Sequence, residues 1–415
     1  MESEKRIRLL VAKAAMVRNG GAARDLLRNL PEINNLFEVR FVCLNILDEQ
    51  REFIESLGIE VICPDNQWEI VGGIWNEIAA SQDRSSLSRW RSLPGLDEAL
   101  SWADAVHLTT GAGSMDFTAI VPETMPLHLH YLESKPGIFD DVSHLNNDGS
   151  GRWRARLVHI LQLFHRKRIV SIFRQFKTNE AWRINANSSF SSRMLKQIYD
   201  LEGGVLYPCV DLTEFPREPS ENEGNMLEEF RKTRDSPYVL TVGNLSRFKG
   251  IHESLEHVVG CGLDLVVIGG GKTDENKELI SKGRELGVDV QVFSNLNSEE
   301  MRSLMRNARA VIGLAHGEAF GLTPVEAMAL GVPPIFVNEG GYTDTIQDEV
   351  NGRLLGRGDL AAWREALSQA SEPSIRQKFA SNGLKRIDEL GLSPESHASR
   401  LQKEVSSMID NPKIG

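Results

Sequence analysis

A chain of 415 residues predicts two domains, because a single hydrophobic core stops growing at roughly 250–300 residues. Its composition is that of a globular protein, with 41% hydrophobic and 25% charged residues, which excludes a disordered, collagen-like or disulfide-stapled chain. The 47 lysines and arginines against 58 aspartates and glutamates give a net charge of −11, which argues against bulk binding of nucleic acid.

The cysteines fit a reducing compartment, and the hydropathy pattern indicates a soluble or peripheral intracellular protein. Cys43, Cys63, Cys209 and Cys261 form no CxxC pair, so neither a disulfide framework nor a thiolate zinc site is suggested. No run approaches the roughly 18–20 apolar residues of a membrane span, and the N-terminal MESEKRIRLL lacks the apolar core of a signal peptide. We therefore expect a cytoplasmic protein, either free or peripheral at the cytoplasmic face of a membrane.

Short apolar runs separated by helical patterns occur in two series. The first comprises residues 8–15, 39–44, 60–63, 103–108, 127–131 and 183–187, and the second comprises residues 238–242, 263–268, 288–293, 310–314 and 334–337. Such alternation is typical of βαβ units, in which a parallel sheet is covered on both faces. The sequence predicts an α/β protein with two Rossmann-like domains that face each other across a cleft.

The composition also suggests where the domains divide. We expect a first domain at residues 1–212, a proline- and glutamate-rich linker at 213–236 that leads into a short helix, and a second domain at 237–392. The helical stretch 393–415 has no strand beside it, so we expect it to pack back on the first domain.

The most informative segment is HGEAFGLTPVEAMALG, residues 316–331, which follows a predicted strand and opens a helix. Thr323 is a good N-cap, Pro324 suits the first helical position, and Glu326 stands three residues after the cap. The backbone N–H groups at this helix start would form an anion site suited to phosphate, with Glu318 on the loop before it. On these residues alone, an equally good interpretation makes Glu326 a capping-box residue and Glu318 an ordinary loop carboxylate.

Glu318 and Glu326, with seven residues between them, resemble the E-x7-E signature of family 4 of the retaining glycosyltransferases, which have the GT-B architecture. Residues 239–250, VLTVGNLSRFKG, are similar to that family's strand and loop with a diphosphate-binding lysine, which would be Lys249. Gly20-Gly21 matches its glycine turn after the first strand, and Gly340-Gly341 with Asp344 matches its GG-x-x-E segment, with Asp in place of Glu. The resemblance is strong only from about residue 184 to residue 355.

The resemblance implies that the first domain binds the acceptor and the second binds a nucleotide diphosphate sugar, without cofactor or metal. It implies that Glu318 contacts the sugar hydroxyls and Glu326 the ribose. The implied catalytic residues are Glu318, Lys249 and His130, and the implied donor-binding residues are Gly20, Gly21, Arg247, Gly321, Leu322, Thr323 and Glu326.

The assignments of Arg247 and His130 each have an alternative interpretation. The family usually has an arginine where this chain has Asn244, so Arg247 would supply the second cation; it could equally be a solvated surface residue. His128 and His130 alternate in LHLHY and share one face, which on the residues alone favours buried, hydrogen-bonded histidines. The family often places a histidine here facing the sugar, and His130 is nearer the strand's carboxyl end, where α/β sites lie.

Residues 151–178 are basic in an otherwise acidic protein. The segment has eight lysines and arginines and no acidic residue, with apolar residues interleaved at roughly helical spacing. This pattern is typical of an amphipathic element on an anionic membrane surface, and a domain helix with a basic solvent face explains it equally well.

The function expected from the resemblance is retaining transfer of a hexose, of mannose or glucose type, from a nucleotide diphosphate sugar to a hydroxyl of a glycan, a lipid-linked acceptor or a small molecule. One alternative is a non-hydrolysing nucleotide-sugar epimerase on the same architecture, although no acid–base pair is placed for it. Another is a catalytically silent sugar-nucleotide-binding protein. A turnover assay separates these alternatives.

Overall fold

The first half of the chain is built on a parallel sheet of seven strands. The computed structural model describes residues 6–16, 21–69, 81–134, 142, 145–146, 150–151, 163–232 and 236–410. The strands run in the order β3-β2-β1-β4-β5-β6-β7. They are β1 Arg8–Ala12, β2 Glu38–Val42, β3 Glu60–Ile62, β4 Ala105–Thr109, β5 Leu127–Tyr131, β6 Trp182–Ala186 and β7 Gly204–Val205. The helices between them are α1 Gly21–Leu36, α2 Asp48–Ser56, α3 Ser81–Arg91, α4 Leu96–Trp102, α5 Leu163–Thr178 and α6 Ser189–Tyr199.

Alternation along β1 shows how this sheet is buried. Leu10 and Ala12 belong to one core cluster, and Leu9 and Val11 belong to another. Because successive side chains of a strand point to opposite faces, both faces of the sheet are covered. The apolar runs of the sequence therefore predicted the strands of this sheet correctly, except the two-residue β7.

The second half is built on a parallel sheet of six strands, in the order β10-β9-β8-β11-β12-β13. The strands are β8 Tyr238–Asn244, β9 Asp264–Gly270, β10 Val290–Phe293, β11 Val311–Gly313, β12 Pro334–Val337 and β13 Arg353–Leu355. The helices are α7 Glu221–Lys232, α8 Ile251–Val258, α9 Thr273–Glu285, α10 Ser298–Asn307, α11 Leu322–Leu330, α12 Tyr342–Thr345, α13 Leu360–Gln369 and α14 Pro373–Leu390. Both sheets start from the order 3-2-1-4-5-6 of a Rossmann fold, so two α/β units are confirmed.

The chain divides into two units by its internal contacts. One unit comprises Met1–Phe139, Trp153–Cys209 and Gly391–Gly415, and the other comprises Asp140–Arg152 and Val210–Leu390. The last helix, α15 Pro394–Asp410, lies in the first unit, where Leu401 and Val405 pack into the core cluster that also contains Leu26 and Leu30 of α1. Arg183 of β6 also contacts this helix, through a hydrogen bond of 2.6 Å from its Nη1 to Ser407 Oγ.

Helix α7 lies within the segment that the composition suggested as a linker, and it carries a buried charge. The side chain of Glu223 has no exposed surface and accepts hydrogen bonds from Arg302 Nε at 2.6 Å and Arg306 Nε at 3.0 Å. Arg306 also donates to the carbonyl of Arg217 at 2.6 Å, which fastens the proline-rich stretch to α10. The acidic composition indicated a solvated segment, whereas this carboxylate is paired inside the second unit.

Helix α5 contains the described part of the basic segment 151–178; residues 152–162 lie outside the described residues. Phe173 and Phe176 are buried in the core of the first unit, and Phe173 stacks on Tyr199 with ring centroids 4.0 Å apart. These two apolar residues of the basic segment are therefore core residues and are not available to a membrane surface. Within the described parts of the chain, no helix is both long and apolar enough to span a bilayer.

Candidate functional site

The candidate site lies at the carboxyl ends of β8 and β11 in the second unit. In the order β10-β9-β8-β11-β12-β13 the connections leave β8 and β11 toward opposite sides, which opens a crevice between the two loops. The loop after β8 carries Arg247 and Lys249 in a 3₁₀ turn, and the loop after β11 carries His316 and Glu318. The topology thus brings together residues that are about 70 positions apart in the sequence.

Lys249 and Glu318 form the central pair of the site. Lys249 Nζ lies 2.6 Å from Glu318 Oε2, and the two side chains are 31% and 20% exposed. The close approach depends on Gly250, which has φ +66°, because a Cβ there would lie 2.1 Å from the Leu314 carbonyl oxygen. The N–H of His316 also donates to the Phe248 carbonyl at 2.7 Å, so the two loops are joined by their backbones.

The Gly340-Gly341 pair holds the backbone of Glu318. Gly340 has φ +63°, and a Cβ there would lie 2.6 Å from the Glu318 carbonyl oxygen. The N–H of Gly341 donates to that same carbonyl at 2.7 Å. Only glycines allow this contact, so the pair fixes the loop that presents the Glu318 carboxylate.

Helix α11 begins earlier than the sequence predicted. Its N-cap is Gly321, with φ +82°, and Leu322 is the first helical residue, so Thr323 is not the cap and Pro324 stands at the third position. The cause is tertiary packing, since a Cβ on Gly321 would lie 2.4 Å from the ring of Tyr342. The first N–H groups of a helix have no intrahelical acceptor, and no side chain caps this one. The N–H groups of Leu322 and Thr323 are therefore left without a capping side chain, as a site for an anion requires, and their role in donor binding stays a prediction.

The new helix start also changes the interpretation of Glu326. With Gly321 as N-cap, the capping-box position falls on Pro324, so the alternative in which Glu326 is a capping residue is wrong. Glu326 is the fifth residue of α11, and its side chain is buried. Its role in binding a donor stays a prediction.

Arg247 belongs to a charge network centred on Glu253 of α8. Glu253 Oε1 accepts from Arg247 Nη1 at 2.9 Å and from His316 Nε2 at 3.0 Å. Its Oε2 accepts from Arg357 Nη1 at 2.5 Å. Burial raises the pKa of Glu253, but the hydrogen bonds from His316 and Arg357 outweigh burial and lower the pKa to about 2. Arg247 is thus an anchored residue of the site and not a solvated surface cation.

Arg357 links this network to the loop before Gly340, and sequence reasoning missed it. Its Nε and Nη2 donate to the Glu339 carboxylate at 3.0 and 2.8 Å, and its Nη1 donates to the Leu314 carbonyl at 2.8 Å. Arg357 follows β13, and Glu253 lies four residues after Lys249 on the opening turn of α8. In the sequence, the only indication that Arg357 and Glu253 belong to the site is that each is a charged residue close to a glycine turn.

The predicted site residues of the first unit differ in how exposed they are. Gly20 lies outside the described residues, and Gly21 is exposed at the start of α1. Lys13, just after β1, was not predicted; it is buried and donates to the Thr110 carbonyl at 2.9 Å. Burial lowers the pKa of Lys13 to about 8, with the Glu133 carboxylate opposing the shift.

His130 lies in a cluster of buried histidines. Its Nε2 is 2.8 Å from the Leu206 carbonyl oxygen, and its ring centroid is 5.4 Å from that of His397. The neighbouring His107 and His128 are joined through their Nδ1 atoms at 2.9 Å. Burial lowers the pKa of His130 well below its usual range, so the ring is neutral. The catalytic role of His130 stays a prediction.

Among the described residues, no group of three or more His, Cys, Asp or Glu is placed to hold a metal ion.

Sequence comparison relates the second unit to known proteins. Residues 223–386 match the family model described as Glycosyl transferases group 1. The chain is 28% identical over 253 residues to Alpha-1,3/1,6-mannosyltransferase ALG2 of Dictyostelium discoideum, which covers 53% of this chain and 60% of that protein. It is 33% identical over 173 residues to the D-inositol 3-phosphate glycosyltransferase of Xylanimonas cellulosilytica, which covers 39% and 41% of the two chains. The matched region thus spans about three fifths or less of these relatives.

Solved structures share the fold along nearly the whole chain. Sucrose-phosphate synthase from Thermosynechococcus elongatus has a TM-score of 0.72 at 15% identity, over 98% of this chain and all 100% of that one. Anabaena Alr3699/HepE in complex with UDP and glucose has a TM-score of 0.63 at 16% identity, over 97% of this chain and 100% of that one. At such identities the likeness shows the fold alone, and it confirms the predicted GT-B fold class.

Proposed function

We propose that this chain, whose residues 223–386 match the model of the glycosyl transferases group 1, is a retaining hexosyltransferase. Its donor is a nucleotide diphosphate sugar with a mannose- or glucose-type hexose, and its acceptor is a hydroxyl of a glycan or lipid-linked saccharide. The observation that carries the proposal is the position of Lys249 beside Glu318, 2.6 Å apart, at the switch point of the second sheet.

The leaving group defines what the site must supply. Cleavage of the anomeric C–O bond places negative charge on the diphosphate, and fixed donors aimed at that charge lower the barrier. Lys249, Arg247 and the N–H groups of Leu322 and Thr323 provide such donors, one set from each side of the crevice. In this proposal the diphosphate lies between the 3₁₀ turn after β8 and the start of α11.

The carboxylates have separate roles in the proposal. Glu318 contacts the sugar hydroxyls and tolerates the positive charge that develops on the sugar ring, and buried Glu326 binds the ribose. The attack of the acceptor on the same face of the sugar, with retention, follows from the family resemblance. Gly321 supports this arrangement, since a Cβ there would lie 2.4 Å from the Tyr342 ring, which packs beside the start of α11.

The acceptor belongs to the first unit in this proposal. The relatives are named as a mannosyltransferase and as a D-inositol 3-phosphate glycosyltransferase, so polyhydroxylated acceptors are the chemical class to test first. Within the first unit, the Gly20-Gly21 turn is assigned to donor binding and His130 to catalysis. We propose a cytoplasmic location, with attachment to an anionic membrane surface through the basic residues of 151–178.

The experiment is a panel of UDP, GDP and ADP sugars, read by thermal shift and by turnover. A bound donor at 100 times its Kd stabilises the protein by about 2.7 kcal/mol. A hexosyltransferase releases nucleoside diphosphate only with an acceptor or slowly into water, and its product keeps the anomeric configuration of the donor. An epimerase would instead give an epimerised sugar without an acceptor, and a silent binding protein would be stabilised without any product. Either result would contradict the proposal.

A further inference from the structure

β2 and β3 end side by side on two cysteines. The parallel register pairs Val42 with Ile62, and the N–H of Cys43 donates to the Ile62 carbonyl at 3.0 Å. The ladder therefore continues by one step and sets Cys43 opposite Cys63. Neighbouring strands lie about 4.8 Å apart, which falls within the roughly 4.4–6.8 Å Cα separation that a disulfide spans.

The two sulphur atoms lie on the same face of the sheet. Phe41, Val61 and Cys43 belong to one core cluster, and Cys63 packs against that cluster. Since residues two apart on a strand share a face, the pairs Phe41–Val61 and Cys43–Cys63 point the same way. The register of β2 and β3 thus brings the two side chains next to each other.

The pair is chemically asymmetric. Cys43 is fully buried, whereas Cys63 is only half-buried. A hydrogen bond from the Cys43 thiol lowers the pKa of Cys63, and the Arg51 guanidinium of α2 lowers it further, against the effects of burial and of Asp65. The same hydrogen bond and burial raise the pKa of Cys43 well above its usual range. The reachable sulphur thus has the greater thiolate character, and the proton stays on the buried one.

We propose that Cys63 and Cys43 form a reversible thiol-oxidation site whose co-reactant is a hydroperoxide. The Cys63 thiolate attacks the terminal peroxide oxygen, the O–O bond breaks, and the leaving oxygen takes a proton to become water or an alcohol. Cys63 is then a sulfenic acid. The Cys43 thiol loses its proton and attacks that sulphur, the S–O bond breaks, water leaves, and the disulfide forms. One hydroperoxide is reduced and two thiols are oxidised.

The position of the pair gives the oxidation a structural consequence. β3 is the edge strand of its sheet and is three residues long, so a disulfide would fasten this edge to β2. The next residues, Leu44 and Asn45, both donate their N–H groups to the Ala14 carbonyl at 2.9 and 3.0 Å. A disulfide at Cys43 would therefore lie one residue before Leu44, which is hydrogen-bonded to Ala14 in the segment after β1. This site does not depend on the proposed transferase activity.

The test uses the full-length protein, hydrogen peroxide, dimedone and peptide mass spectrometry. Wild type should lose two thiols and yield a linked pair of peptides containing Cys43 and Cys63. Cys43→Ser should stop at the sulfenic acid and carry dimedone on Cys63, while Cys63→Ser should keep Cys43 reduced. Cys261 is the internal control, because it is also half-buried and burial raises its pKa.

The rate at which each cysteine of the wild-type protein is alkylated provides a second test, which does not depend on whether the variants fold. In limiting iodoacetamide at neutral pH, Cys63 of wild type should be alkylated at least about fivefold faster than Cys261. Equal rates for the two cysteines would overturn the proposal. Oxidised wild type that carries dimedone on Cys63 while Cys43 remains a free thiol would overturn it as well, because the second step would then not occur.

Discussion

Lys249 and Glu318 are bound to one another, with Nζ 2.6 Å from Oε2, although the proposed reaction assigns them to different parts of the donor. The cation would hold the diphosphate, and the carboxylate would meet the sugar. When the diphosphate of a donor binds Lys249, this ion pair must therefore break, and the Glu318 carboxylate becomes available to the sugar. The free energy of the pair is the cost that donor binding has to offset, and for partly exposed groups it is about 0–1 kcal/mol.

Replacing Lys249 by methionine should weaken ligands that contain a diphosphate and leave nucleosides unaffected. A charge-assisted hydrogen bond contributes about 1.5–3 kcal/mol, so affinity for the nucleoside diphosphate should fall by roughly 10- to 100-fold. Arg247→Ala should show a smaller loss of the same kind, since Arg247 is partly committed to Glu253. Calorimetric titration measures both, with Lys277→Met, an exposed lysine of α9, as the control. Equal losses for nucleoside and nucleotide would show that Lys249 does not bind phosphate.

Glu253 should make the stability of the protein depend on pH in acid. Its folded-state pKa of about 2 lies below the roughly 4.3 of an unfolded glutamate, so its stabilising contribution is complete above about pH 4.3. That contribution is lost as the pH falls from there through about 2. The difference in free energy of unfolding between wild type and Glu253→Gln should therefore shrink across this window, as measured by denaturant titration at several pH values. A difference that stays constant from pH 6 to pH 2.5 would contradict the observed network.

Transfer should not require a divalent metal. In the proposed mechanism Lys249, Arg247 and the N–H groups at the start of α11 neutralise the leaving diphosphate. Activity should survive excess EDTA, in an assay with EDTA-treated buffers and a re-addition series of Mg²⁺ and Mn²⁺. Activity that disappears with EDTA and returns only with metal would assign the leaving-group charge to an ion instead.

Membrane attachment through the basic segment can be tested on the outer face of α5. Lys167 and Arg174 are exposed, whereas Arg168 pairs with the buried Asp116 and should be left intact. Lys167→Glu with Arg174→Glu should reduce cosedimentation with anionic liposomes and leave the melting temperature within a few degrees. Wild-type binding should weaken with salt, because exposed charges are screened over about 8–10 Å at physiological ionic strength. Wild type that ignores anionic liposomes at low salt would make α5 an ordinary domain helix.

Local patterns were enough to predict the strands other than the short β7 and β13, and to single out Lys249 and Glu318. Parallel strands buried on both faces leave continuous apolar runs, and the loops after them are marked by glycines with positive φ such as Gly250. The topological rule that ligands bind at the carboxyl ends of such strands then places the two loops together.

Features that depend on tertiary contacts could not be predicted. The hydrogen bond between Arg357 and Glu253 joins residues 104 positions apart, and nothing local to either residue indicates it. The helix start at Gly321 is set by the Tyr342 ring, which overrides the capping preference of Thr323. The basic segment was equally compatible with a membrane element and with a domain helix, because the burial of Phe173 against Tyr199 is invisible in the pattern of one helix.

The most direct measurement on the donor site compares Glu318→Gln with wild type in turnover and in nucleoside diphosphate affinity. Glu285→Gln, an exposed carboxylate of α9, is the matched control. Turnover of Glu318→Gln should fall by at least about 100-fold, while the nucleoside diphosphate binds equally well or up to about fivefold more tightly, because the ion pair with Lys249 is gone. Turnover within twofold of wild type would show that Glu318 does not act on the sugar and that the site is wrongly assigned.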